Sequence, residues 1–241
     1  MSREAAIAEL DDPTTLTVGI NLANMLLVTD RKPNGDPVGV AADMAMRIAE
    51  ALGTGIKFDC YPTPGDVADA IDGWDICLIA IEPERAETID FCKPYVQIEA
   101  TYLVPAGSAL QRIEDVDAPG MKIAVSSRAA YDLYLTRTLQ HAELVRGPGL
   151  SATFEMFKQG GLDALAGLTP ALLENAKEMP GSQVLPGRYT AIKQSVGTKH
   201  GKPALKAVVE KVLSDAVADG TVQSLIGKYG VAGKLAVATD D

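Results

Sequence analysis

Apolar residues recur along this chain with two alternating periods, one of two residues and one close to four, and the switching between them outlines its architecture. The opening run Leu16-Thr17-Val18-Gly19-Ile20-Asn21 alternates with the period of a half-buried strand. Val40, Met44, Ile48 and Leu52 then fall at helical spacing, with Asp43, Arg47 and Glu50 on the other side. Gly53 predicts the end of that helix. A strand is expected at 56–60, a short helix at 67–71, and a buried strand at 76–81, where every residue is apolar. Another β-rich run covers 99–104, and Pro105-Ala106-Gly107-Ser108 reads as a crossover.

A second set follows: a strand at 122–126, helices at 130–139 and 152–159, a strand at 163–167, and a helix after Pro170. The strand at 190–196 leads back. The helix expected at 203–219 has proline at its start, an apolar stripe of Leu205, Val208, Val209, Val212 and Leu213, and Gly220 beyond its end. Thr221 is expected to cap a last helix reaching Tyr229. Alternating strands and helices imply βα units and largely parallel sheets. Crossovers near 104–108 and 194–199 predict a discontinuous first lobe, 14–104 plus 198–241, a second lobe, 105–197, and an N-terminal lead, 1–13.

The chain of 241 residues carries a net charge of −10, which argues against nucleic acid and against an anionic membrane surface as partners. No apolar run approaches the roughly 20 residues of a membrane span, so no membrane insertion is expected. Residues 1–12 contain no apolar signal core and read as an amphipathic or disordered lead. Cys60, Cys77 and Cys92 show no metal-ligand spacing, and Cys77 is expected to be a small core residue. Trp74 is expected to be a packing residue, and His141 and His200 lie outside any ligand motif. No cofactor or metal is expected.

The candidate chemistry lies in Ile81-Glu82-Pro83-Glu84-Arg85-Ala86-Glu87-Thr88-Ile89-Asp90-Phe91-Cys92-Lys93-Pro94-Tyr95. Arg85 stands just past a buried strand, where ligands bind in open α/β sheets. Its planar fork suits a carboxylate. The other reading is a surface arginine paired with Glu82, Glu84 or Glu87.

Glu84-Arg85, then Asp90-Phe91 and Pro94-Tyr95, resembles the signature turn of bacterial solute-binding proteins of the polar amino-acid type, family 3. The opening strand, Gly39-Val40-Ala41-Ala42-Asp43-Met44-Ala45, Gly73-Trp74-Asp75-Ile76, and the stretch from Asp219-Gly220-Thr221 to Lys228-Tyr229-Gly230 match in the family's order, over about 14–230. The resemblance implies an α/β, two-lobe periplasmic-binding-protein-like (type II) fold with a two-strand hinge and a ligand in the interlobe cleft. It implies that Arg85 grips the ligand's carboxylate and that Leu78 and Ala80 offer backbone groups. Asn21 and Asn24 stand where the family often has an acid and an aromatic ring, and Pro64 is the nearest match to a second ring. The asparagines either touch the ligand or cap a turn. Ser127, Arg128 and Ala129 occupy the loop that meets the carboxylate with helix amides; Arg128 stands where glycine is usual.

Leu168, with Thr169 beside it, departs from the family, which typically places there an aspartate for the ligand's α-ammonium. Either Glu99, Asp43 or another acid substitutes, or the ligand has no α-amino group. The resemblance therefore implies a binding protein for an organic acid or amino acid, monomeric, with an ABC-importer permease as partner. Two alternatives stay open. One is a lyase resembling cyclohexadienyl dehydratases, although Ala171 falls where their catalytic glutamate is matched; the other is a cytoplasmic ligand-sensing module. The location is periplasmic if a signal has been removed and cytoplasmic if this start is native.

Overall fold

The computed structural model describes residues 2–239. The chain divides into two compact units, Met1–Gln97 with Lys193–Asp241, and Ile98–Ile192. Both divisions fall within strands, where the expectation had drawn them near strand ends.

In the first unit the elements run α1 (Arg3–Ile7), β1 (Thr15–Asn21), β2 (Asp30–Arg31), β3 (Pro37–Val38), α2 (Val40–Leu52), β4 (Gly55–Tyr61), α3 (Pro64–Asp69), β5 (Ile76–Ala80), α4 (Pro83–Ala86) and β6 (Ile89–Phe91). Strand β7 (Val96–Val104) carries the chain into the second unit. There follow β8 (Lys122–Ser126), α5 (Ala130–Thr138), β9 (Glu143–Gly147), α6 (Leu150–Lys158), β10 (Ala164–Leu168), α7 (Thr169–Lys177) and β11 (Gln183–Val184). Strand β12 (Thr190–Lys199) returns to the first unit, which closes with α8 (Pro203–Ala218), α9 (Thr221–Lys228) and β13 (Ala236–Val237).

The first unit's sheet has the order β4-β1-β5-β12, with β4, β1 and β5 parallel and β12 antiparallel to β5. Every residue of β5 is buried, as expected for a strand covered on both faces. Helix α2 buries Val40, Met44, Ile48 and Leu52, and Gly53 ends it in the left-handed conformation at φ 65. Trp74 is fully buried and donates its indole N–H to the Val67 carbonyl at 2.9 Å. A Cβ on Gly19 would lie 2.7 Å from the Trp74 ring, so only glycine fits beneath it.

One open alternative closes and one expectation needs correction. The N-terminal lead contains an ordered helix: Ala6 is fully buried, Arg3 donates to the Leu52 carbonyl, and Glu9 accepts the Leu205 amide at 2.7 Å. Thr221 does not cap α9. Gly220 takes the cap position at φ 79, and the Asp219 carboxylate accepts the Thr221 amide.

The second unit's sheet has the order β7-β10-β8-β9, with β10, β8 and β9 parallel and β10 antiparallel to β7. Strand β9 has no counterpart in the expected pattern. It is a short, half-polar edge strand, Glu-Leu-Val-Arg-Gly, and edge strands of that kind lack the apolar alternation that makes a strand readable. A core of Leu103, Ala124, Phe154, Phe157, Leu165 and Leu172 packs helices α6 and α7 on this sheet.

Candidate functional site

The carboxyl end of β5 carries the first set of residues. Pairing with β1 stops at Leu78, opposite Ile20, whereas β12 continues alongside as far as Ala80, opposite Gln194. Ile79 and Ala80 therefore run past the β1 ladder, which is where α/β sheets offer backbone to ligands. Leu78 and Ala80 are 3% and 5% exposed. Extended Glu82 leads into Pro83, whose fixed φ suits a helical first turn, and one turn of helix delivers Arg85.

Arg85 is only 5% exposed, so it is not the surface arginine of the alternative reading. Its Nη1 donates to the Ala80 carbonyl at 2.9 Å, folding the side chain back onto the end of β5. Glu82, also 5% exposed, lies three residues before it. A buried guanidinium is retained only where its charge and donors are compensated.

Asn21 and Asn24 frame the loop after β1. The Asn21 side-chain oxygen accepts the Ala23 amide at 3.0 Å, and that of Asn24 accepts the Leu26 amide at 3.2 Å. Both oxygens thus cap turns, and the side-chain amide nitrogens lie outside these bonds. Buried Leu27 and Val28 anchor the loop, while Met25 projects at 75% exposure. Pro64 is the first residue of α3, capped by Thr63 and Asp66, and brings no ring.

The acids offered as partners for a ligand ammonium are engaged elsewhere. Asp43 accepts from Lys228 at 2.6 Å, and Glu99 forms an exposed pair with Arg188 at 3.2 Å.

In the second unit the turn between β8 and α5 carries Ser127, Arg128 and Ala129. Ser127 donates its amide to the Gly147 carbonyl at 2.9 Å, and Ala129 donates to the Ser126 carbonyl at 3.2 Å. Between them Arg128 adopts φ 61, the left-handed conformation, the one such non-glycine case among the described residues. A side chain there costs about 1–2 kcal/mol relative to right-handed backbone. The residue type that avoids this cost is glycine.

Sequence reasoning did not single out two residues that hold this turn. Asp132, 2% exposed, accepts the Arg128 amide at 2.8 Å. Arg146 donates from Nε to both Asp132 oxygens, at 3.0 and 3.3 Å, and from Nη2 to the Thr136 hydroxyl at 2.7 Å. An acid in the first turn of a helix is common, so its position alone carried no signal.

Strand β10 runs parallel to β8 with Leu165 opposite Ala124, which brings Leu168 to the same end of the sheet as Ser127. Leu168 precedes α7, and the hydroxyl oxygen of Thr169 is buried without a hydrogen-bond partner. The Tyr102 and Tyr189 rings meet at a tilt with centroids 4.6 Å apart, and Tyr134 stacks on Tyr189 at 6.0 Å. Burial raises the hydroxyl pKa of Tyr102 and Tyr189, so both are neutral.

The cysteines do not form a reactive set. Burial pushes the Cys77 thiol up to about 12, and burial likewise raises Cys60 and Cys92. Among the described residues no cluster of His, Cys, Asp or Glu is arranged to hold a metal ion, and no helix is long and apolar enough to cross a membrane.

The model of the bacterial extracellular solute-binding proteins, family 3, matches residues 16–232. The ABC transporter glutamine-binding protein of Bacillus subtilis is 22% identical over 239 residues, which cover 95% of this chain and 85% of that protein. The cyclohexadienyl dehydratase of Pseudomonas aeruginosa is 29% identical over 142 residues, covering 56% of this chain and 52% of the enzyme. A crystal structure of a mutant ArgBP from T. maritima matches with a TM-score of 0.75 at 21% identity, covering 94% of this chain and 99% of that one. These matches identify a mixed α/β fold of the two-lobed periplasmic-binding-protein kind.

Proposed function

Because the chain belongs to the bacterial extracellular solute-binding proteins, family 3, we propose that it captures a small carboxylate-bearing solute and delivers it to an ABC importer. The observation that carries this reading is Arg85, buried at the carboxyl end of a central strand and tied to the Ala80 carbonyl. A guanidinium held there is pre-organised, so little side-chain entropy is lost when it grips a carboxylate with two parallel hydrogen bonds. In the first unit Leu78 and Ala80 supply backbone groups and Asn21 and Asn24 supply amide donors; in the second, taken by itself, Ser127, Arg128, Ala129 and Thr169 supply donors. The protein acts as an exported monomer.

The ligand we favour lacks an α-amino group and carries a second acidic group. Leu168 cannot pair with an ammonium, and Asp43 and Glu99 are already engaged with Lys228 and Arg188. Leaving an ammonium unpaired in a dry site costs several kcal/mol, on the order of the unpaired-charge penalty. Arg128 in turn suits a second carboxylate. Calorimetric titration with L-glutamate, 2-oxoglutarate and glutarate tests this reading. Tight binding of the amino acid alone would refute it.

The dehydratase match supports a second reading of lesser weight. Ala171, an exposed residue of α7, provides no carboxylate for acid–base chemistry at the matched position. Mass spectrometry of incubated organic acids decides: unchanged acids fit a carrier, and loss of water or carboxylate fits a lyase.

A further inference from the structure

We infer that Asp132 and Arg146 are positioning residues that hold the turn 127–129 in its ligand-binding conformation and cancel the charge this requires. The inference rests on the carboxylate reading above. Arg128 sits at φ 61, a conformation its side chain disfavours, so something outside the residue must hold it. Two bonds do so. Gly147 of β9 accepts the amide of Ser127, and Asp132 of α5 accepts the amide of Arg128.

The two anchors are themselves joined. Arg146 precedes Gly147 on β9, and its Nε donates to Asp132. The path from Ser127 through Gly147, Arg146 and Asp132 to Arg128 therefore closes on itself, passing through one strand end and one helix start. Its β9 corner is closely packed: a Cβ on Gly147 would lie 2.4 Å from the Thr153 hydroxyl oxygen. Arg146 also reaches Thr136, one turn further along α5, which fixes its guanidinium against the helix.

Charge explains the choice of partner. A carboxylate beside an anion-binding turn repels the anion it is meant to help hold. Asp132 is buried and engaged by a guanidinium, so its charge is neutralised within the ring while its oxygen still accepts the Arg128 amide. The geometry is then set by an acid whose charge the ligand does not feel.

A mutant cycle tests this, with glutarate as the probe and amide hydrogen exchange of 127–131 as a second readout. Asp132→Ala is expected to lower glutarate affinity about tenfold and to speed exchange of these amides. In an Arg128→Gly background, where φ 61 carries no penalty, the same change is expected to cost about threefold or less. A merely structural Asp132 would cost the same in both backgrounds, and that result overturns the inference. Arg146→Gln is expected to weaken glutarate binding about tenfold, with Asp132→Asn in the same chain restoring most of it; absence of rescue overturns the charge argument. If Asp132→Ala does not fold, Asp132→Leu, which also lacks the acceptor but fills the space, replaces it in the first cycle. Failure of the parent protein to bind glutarate or 2-oxoglutarate sinks the carboxylate reading, whereas the exchange cycle still decides whether Asp132 positions the turn.

Discussion

Arg85 and Arg128 illustrate two ways of presenting a guanidinium. Arg85 is buried and tethered to its own strand end, whereas Arg128 is exposed on a strained backbone. Their replacements should therefore behave differently. Arg85→Lys keeps the charge and loses the planar fork, so it is expected to weaken carboxylate binding at least about tenfold, measured by calorimetry. Arg128→Gly relieves the left-handed strain at the expense of unfolded-state entropy. It is expected to stabilise the free protein by about 0.5–1 kcal/mol in denaturant unfolding while weakening dianions more than monoanions. Arg85 stands out in the sequence because strand, turn and aromatic re-entry follow each other within one short stretch. Asp132 and Arg146 were not, because their bond joins a helix start to an edge strand fourteen residues on, and neither residue type is unusual in its place.

At the scale of elements, the turns that carry these residues depend on backbone positions as much as on side chains. Gly39 adopts φ 150 ahead of α2, and a Cβ there would lie 2.2 Å from the Leu27 carbonyl oxygen. Leu27 anchors the Asn21 to Asn24 turn. Gly39→Ala should thus destabilise by about 2–4 kcal/mol and lower ligand affinity together, read by denaturant titration and calorimetry. In the second unit Asp117 ties the segment before β9, accepting amides from Gln140, His141 and Ala142 at 2.8–2.9 Å. Burial pushes its carboxyl pKa up, and the three amide bonds outweigh this and leave it below the ordinary value. A depressed folded-state pKa means that the stabilisation is complete above the unfolded value, near 4, and disappears as pH falls through the folded one. Asp117→Asn should accordingly cost about 1–2 kcal/mol at pH 7, and the gap to the parent should narrow below about pH 4 in pH-dependent unfolding. The long amphipathic helices were readable from spacing, α2 and α8 above all. Strand β9 and the start of α1 were not: one is an edge strand with two charges in five residues, and the other is a short helix whose order comes from packing and from Glu9, not from propensity.

For the molecule as a whole, the order of strands and helices and the family motifs together specified the α/β architecture. The place of each division did not follow from them, because β7 and β12 continue through the boundaries with no Pro or Gly at 97–98 or 192–193. The sequence bears on the proposed ligand only by subtraction: Leu168 brings no acid, and Asp43 and Glu99 stand in ion pairs of their own. A carrier stabilised by its ligand gains RT ln(1 + [L]/Kd), so the correct acid at about one hundred times Kd adds roughly 2.7 kcal/mol. The central claim is that Arg85 captures a carboxylate. Its most direct test is calorimetric titration of glutarate and 2-oxoglutarate into the parent protein and into Arg85→Ala, after circular dichroism has shown that the variant is folded. The account predicts a saturable heat for the parent and at least about a hundredfold weaker binding for the variant; equal affinity in the two proteins would contradict it.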